Sequence, residues 1–240
     1  MTGAETVRVH PDAETLARTV ALALLTRLAE VQAEGRTPHV VLTGGTIADR
    51  IHREVAGLAG ESGVDFGDVV FWFGDERFVP ADSSDRNEGQ ARAAFLDAVG
   101  ATQVHAVPSA SDAASADDAA ATYEGLLLEH LVGEVDVVML GVGEDGHVAS
   151  LFPGYPQLDE TDALAVGVRD SPKPPPDRVT LTLETLNRAA SVWFLVSGDG
   201  KAPAVAEALG GADLHDVPAT GVHGRTETVW WLDAPAASRL

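Results

Sequence analysis

One histidine, His147, lies in the run GVGEDGHVASLFPG at residues 141–154, two positions after Asp145 and among Gly141, Gly143 and Gly146. An imidazole beside a carboxylate suits general acid–base catalysis, because the carboxylate influences the tautomer or the charge of the ring. The glycines let the backbone turn sharply and approach a ligand closely. The run follows VDVVML at 135–140, which reads as a buried strand, so the histidine and its carboxylates arrive at a strand's carboxyl end. Open α/β sheets place their ligands there. The same glycines match G-x-G-x-x-G, but Pro153, Gly154 and Pro156 interrupt the helix that a pyrophosphate would need. No helix-then-strand pattern leads from them to Asp159, Glu160 and Asp162. The segment therefore reads as an active-site loop and not as a dinucleotide site.

Two further motifs occupy equivalent positions. Thr43, Gly44, Gly45 and Thr46 lie between a strand ending at Leu42 and a helix expected to start near Ile47. Free N–H groups at a helix start, with glycines and hydroxyls around them, make an anion site suited to phosphate; an ordinary turn with Thr46 as N-cap is the alternative. The sequence GDERFVP at 74–80 follows the apolar run VVFWF and puts Asp75, Glu76 and Arg77 at another strand end. There the arginine either pairs with its neighbours or faces a ligand. Asn87 and Gln90 have capping-box spacing, so Asn87 is expected as a helix N-cap.

Two more cations stand out in an acidic chain. Arg178 closes SPKPPPDR, whose four prolines make a stiff extended loop. Lys201 opens a helix after VSGDG, where a lysine opposes the helix macrodipole unless it meets an anion. The other histidines show no metal-ligand spacing and no G-x-S-x-G elbow is present, so neither a catalytic metal nor a serine nucleophile is expected.

The elements that must position these residues alternate along the chain. Leu16, Val20, Leu24, Leu28 and Val31 recur at helical spacing between Pro11 and Gly35. Apolar runs at 39–42, 69–73, 135–140, 179–183, 191–196 and 228–232 read mostly as strands buried on both faces, with helical stretches near 47–56, 88–99, 117–131 and 201–209. That pattern predicts an α/β fold, a mainly parallel open sheet flanked by helices, in one domain spanning 1–240. The alanine- and aspartate-rich piece at 109–122 leads into Tyr123, Leu126, Leu127 and His130 at helical spacing, so it reads as a helix start and not as a hinge.

With 240 residues, 45% of them hydrophobic, the chain can bury a large core. Its 37 acidic against 16 basic residues give a net charge of -21, which repels nucleic acid and anionic membranes and requires a local basic pocket for any anionic substrate. The absence of cysteine excludes disulfides and thiolate chemistry. With a polar opening at 1–11 and no long apolar run, a cytoplasmic protein is expected.

TGGT at 43–46, GDERFV at 74–79, GVGEDGHVASLFPG at 141–154, SPKPPPDRVTLTL at 171–183 and SGDGKA at 197–202 together resemble the 6-phosphogluconolactonase family, within the group that includes glucosamine-6-phosphate deaminases. They span most of the chain in order, and the proline-rich segment favours the lactonase branch. The glycine loop departs from the commoner, longer or proline-containing form. The resemblance implies hydrolysis of a phosphorylated sugar δ-lactone that requires no redox cofactor; no cofactor is expected, and the chain is expected to act as a monomer. In that reading His147 is the base and then the proton donor, and Asp145 orients it or stabilises its charge. Arg77 aids the oxyanion or binds substrate, and Asp75 positions the sugar. Thr43, Gly44, Gly45, Thr46, Arg178 and Lys201 hold the phosphate. A hexosamine-phosphate deaminase or isomerase and a non-catalytic sugar-phosphate sensor are the alternatives.

Overall fold

Short runs of Val, Leu, Phe and Trp without polar interruption must be covered on both faces. The computed structural model, which describes residues 3–131 and 133–240, lays such runs side by side as parallel strands. The strands are β1 (Ala4–His10), β2 (His39–Leu42), β3 (Val70–Phe73), β4 (Asp75–Arg77), β5 (Gln103–Val104), β6 (Val137–Gly141), β7 (Ala165–Val168), β8 (Arg178–Leu181), β9 (Ser191–Val196) and β10 (Glu227–Asp233). Seven form one sheet in the order β1-β10-β9-β6-β2-β3-β5, with every ladder parallel. The helices are α1 (Ala13–Ala33), α2 (Thr46–Ser62), α3 (Asn87–Ala91), α4 (Ala116–His130), α5 (Leu183–Leu186) and α6 (Ala202–Leu209).

α1 begins where Asp12 accepts a hydrogen bond from the Thr15 N–H, and it buries Leu16, Val20, Leu24 and Leu28. Ser115 caps α4 in the same manner, by accepting from Asp118, so the acidic piece before Tyr123 is a helix start as its spacing indicates. In the central sheet, β2, β3, β6 and β9 are buried along nearly their whole length.

Several expectations need correction. The polar opening at 1–11 carries an element the sequence reading did not assign, β1, an exposed edge strand that pairs with β10. The run at 179–183 does not join the parallel sheet. Its strand β8 lies between β4 and β7 in a separate three-stranded antiparallel sheet. The helix expected near 88–99 begins as α3 and continues as a π-helix over Arg92–Leu96. Asn87 is not an N-cap: the helix start is capped from outside by the buried Glu76 carboxylate, which accepts the Asn87 and Glu88 N–H groups and frees the Asn87 side chain.

The strand order decides where a ligand can sit. From β2 the chain runs outward to β3 and β5, while β6, β9 and β10 lie on the other side of β2, so the order reverses between β2 and β6. A crevice opens at the carboxyl ends of strands at such a switch point. The four central strands β9, β6, β2 and β3 lead directly into SGDGK, GVGEDGH, TGGT and GDER.

Candidate active site

The four loops enclose a cavity of about 380 Å³. TGGT contributes through its backbone: Gly45 caps α2 at φ 100°, a conformation that favours glycine, so Thr46 is the first helical residue and not the N-cap. Gly44 must also be small, because a Cβ there would lie 2.0 Å from Asn87 Oδ1. One turn into α2, Arg50 lies on the same helix face as Thr46, lines the cavity and makes no ion pair among the described residues.

The antiparallel sheet supplies the opposite wall. Residues two apart on a strand share a face, so Asp75 and Arg77 of β4 point one way and Glu76 the other. The register sets Arg77 directly across from Arg178, and Asp75 across from Thr180. Two guanidinium groups side by side repel each other unless an anion joins them. Asp75, only 6% exposed, partly meets that need: it accepts a 2.6 Å hydrogen bond from Ser150 Oγ and lies 3.9 Å from Arg178 NH1. Arg77 does not pair with Asp75 or Glu76. Its NH1 donates to Asp85 O and Asn87 Oδ1, while its buried Nε lacks a partner among the described residues. Asn87 ties the wall together by donating from Nδ2 to Asp75 O.

Arg178 faces the cavity but is largely committed elsewhere. Its Nε donates to Pro175 O, and its NH2 donates to both Lys173 O and Pro174 O, so it braces the proline-rich loop. Burial lowers its pKa, with Arg77 acting in the same direction and Asp75 against it. Lys201, at the start of α6, is half-buried and makes no ion pair among the described residues. Burial and then the neighbouring Lys173 lower its pKa, while Glu144 and Asp145 oppose them. The turn carrying Lys201 is clamped by buried Asp233 at the end of β10, which accepts from Ser197 Oγ and Gly198 N.

At the end of β6, His147 Nδ1 lies 2.5 Å from Asp145 Oδ1. Burial alone would raise the Asp145 pKa, but the hydrogen bond from His147, its charge and that of Lys173 outweigh it and hold the carboxyl well below the usual range. An ionised Asp145 accepts the Nδ1 proton, which leaves Nε2 as the lone-pair nitrogen of a neutral ring. Gly143 makes this contact possible, since a Cβ there would lie 2.0 Å from His147 Nδ1 and 2.3 Å from Asp145 Oδ1. Phe152 packs between the imidazole and the Arg178 guanidinium, at 4.6 and 5.9 Å. His147 lines the cavity, whereas Asp145 stands behind it.

The structure thus brings His147, Asp75, Arg77, Arg178, Lys201 and the TGGT segment to one cavity, with Asp145 in support. Sequence reasoning passed over Arg50, Asn87 as a side-chain ligand, Ser150, Phe152 and Lys173. Arg50 had a signal, its i, i+4 spacing from Thr46. Ser150 and Phe152 lay within the singled-out loop, with nothing in their spacing to show which way they point. Four cations and one aspartate around a cavity, in a chain of charge -21, make a local basic site.

Fold and site together define an α/β protein of Rossmann-like architecture, with a histidine beside a cation-lined pocket at the switch point of a parallel sheet. The chain belongs to the glucosamine-6-phosphate isomerases/6-phosphogluconolactonase family, whose model matches residues 11–231. It is 43% identical to the 6-phosphogluconolactonase of Streptomyces coelicolor, over 97% of this chain and 93% of that protein. It is 40% identical to the 6-phosphogluconolactonase of Mycobacterium tuberculosis, over 98% of both. Among solved structures, the 6-phosphogluconolactonase of Trypanosoma brucei superposes with a TM-score of 0.86 at 26% identity, covering 100% of both chains. A monomeric glucosamine-6-phosphate deaminase shares the fold, with a TM-score of 0.78 at 20% identity, over 98% of this chain and 100% of that one.

Proposed function

We propose that this chain hydrolyses 6-phospho-D-glucono-1,5-lactone to 6-phosphogluconate, the lactonase step of the oxidative pentose phosphate pathway. The observation that carries the reading is the His147–Asp145 pair opening onto a cation-lined cavity. It supplies a base at one end and anion donors around it, which are the two requirements of a phosphorylated ester substrate. The names and full-length identity of the relatives support the same reaction.

In this reading the phosphate is held by the N–H groups at the start of α2 together with Arg50 and Lys201, with Arg77 and the remaining NH1 of Arg178 nearby. Binding there fixes the lactone carbonyl relative to His147, so binding energy far from the reacting carbon contributes to its orientation. Asp145 holds the Nδ1 proton. His147 Nε2 takes a proton from water as the oxygen attacks C1. The carbonyl π electrons move onto oxygen, where the guanidinium of Arg77, which lines the cavity, stabilises the negative charge. When the intermediate collapses, the C1–ring-oxygen bond breaks and the imidazolium returns its proton to the departing oxygen, leaving a hydroxyl and a carboxylic acid. Asp75, fixed by Ser150 and Asn87, accepts hydrogen bonds from sugar hydroxyls.

The test is acid release in a pH-stat from freshly prepared 6-phosphogluconolactone, corrected for spontaneous hydrolysis. Catalysed release is expected. No release above background, or ammonia release from glucosamine 6-phosphate in its place, overturns the reading.

A further inference from the structure

The proline-rich loop does more than wall the cavity, because it delivers a charge to the back of the catalytic pair. Its backbone is held from two sides: Ser171 Oγ donates to Lys173 O and accepts the Lys173 N–H, and Arg178 NH2 donates to the same carbonyl and to that of Pro174. From this anchored position the Lys173 side chain crosses to the histidine loop. Its Nζ lies 3.3 Å from Asp145 Oδ1 and 3.4 Å from His147 Nδ1. Asp145 is its ion-pair partner among the described residues. Nδ1 cannot accept from the ammonium while it donates across 2.5 Å to Asp145, so the short contact is the hydrogen bond and the ammonium faces the ring as a bare charge.

We propose that Lys173 is a positioning residue for the His147–Asp145 pair, braced by Arg178. It fixes the Asp145 carboxylate by sharing Oδ1, and its charge, facing the ring, opposes protonation of the imidazole. This rests on the reading of His147 as the base. Both electrostatic effects of removing Lys173 have the same sign: a cation near the ring disappears, and Asp145 loses a neutralising partner. The other charged groups around the His147 cavity are Glu144 on its own loop, Lys201 at the start of α6, Arg50 on α2, Arg178 on β8, and Asp75 and Arg77 on β4. None of them shares an oxygen of Asp145.

The experiment is an NMR titration of the histidine side chains in the full chain, with the His147 signal assigned by its loss in His147→Gln. It compares wild type with Lys173→Met, which keeps the apolar stem, with Lys173→Gln as a second neutral variant and Lys173→Arg as the conservative one. A unit charge about 4 Å away is worth about 1 kcal/mol in bulk water and about 4 kcal/mol at the effective dielectric near a protein surface, a shift of roughly 0.7 to 3 pH units. The His147 midpoint is expected to rise by that amount in both neutral variants and to return in Lys173→Arg, with the acidic limb of kcat/KM moving in parallel. An unchanged or lowered midpoint in the folded neutral variants overturns the proposal. The titration does not depend on lactone turnover, so a wild-type chain without lactonase activity refutes the reaction while the midpoint still judges Lys173.

Discussion

Replacing Arg178 and Lys201 separately by alanine distinguishes a ligand of the phosphate from a brace of the site. Lys201 stands half-buried at the cavity with no ion pair among the described residues, so in the proposed reading its removal deletes a contact to the substrate and little else. One charge-assisted hydrogen bond contributes about 1.5–3 kcal/mol, so Lys201→Ala should lose on the order of tenfold to a hundredfold in kcat/KM on the phosphorylated lactone. It should lose little on unphosphorylated gluconolactone. Arg178 is different: three of its bonds go to the carbonyls of Lys173, Pro174 and Pro175, and it lies 3.9 Å from buried Asp75. Its removal frees the loop that carries Lys173 and leaves Asp75 without a cation, a change that costs about 3–5 kcal/mol when a buried pair is broken. Arg178→Ala should therefore lose at least about tenfold on both lactones and lower the urea midpoint. The assay is kcat/KM on both substrates for both variants, together with urea unfolding. If Arg178→Ala keeps wild-type stability and loses activity only on the phosphorylated lactone, the bracing role is wrong and Arg178 is a simple phosphate ligand.

Gly143→Ala places a methyl group where the Asp145–His147 contact sits, 2.0 Å from Nδ1, so kcat should fall about a hundredfold or more with the fold intact; near wild-type turnover would show that the pair does not need this contact. His52 is buried against Phe95 with Nε2 unpartnered among the described residues, and burial pushes its pKa down to about 4 from 6.5. A depressed folded-state value means that its neutral form favours folding fully above pH 6.5, and that this contribution is lost as pH falls toward 4. The loss approaches about 3 kcal/mol, so His52→Leu should flatten the fall in urea midpoint between neutral pH and pH 4 relative to wild type, and parallel curves for the two proteins would refute the assignment.

The central strands were legible because burial on both faces leaves an unbroken apolar run, and HVVL and SVWFLV match β2 and β9 residue for residue. The edge strand was not legible. AETVRVH is exposed along nearly its whole length, and Val7 and Val9 alone are too short an alternation to mark a strand. VTLTL was recognised as a strand, but a fully buried run does not reveal whether its neighbours are parallel, and β8 went to the smaller antiparallel sheet. That pairing places Arg178 across from Arg77, a contact between residues about a hundred positions apart that no local spacing encodes. Asn87 misled for a related reason: its capping-box spacing is real, but Glu76, eleven positions earlier, caps the helix instead. The histidine loop was legible because its chemistry is local, and Asp145 and His147 lie two residues apart on one turn.

The central claim is that His147 Nε2 is the base that activates water for attack on the lactone. The direct measurement is the initial rate of acid release from fresh 6-phosphogluconolactone by His147→Ala, corrected for spontaneous hydrolysis, beside binding of 6-phosphogluconate to the same folded variant. A fall in kcat of about a hundredfold to ten-thousandfold is expected, with product binding retained. Turnover within a few-fold of wild type would contradict it.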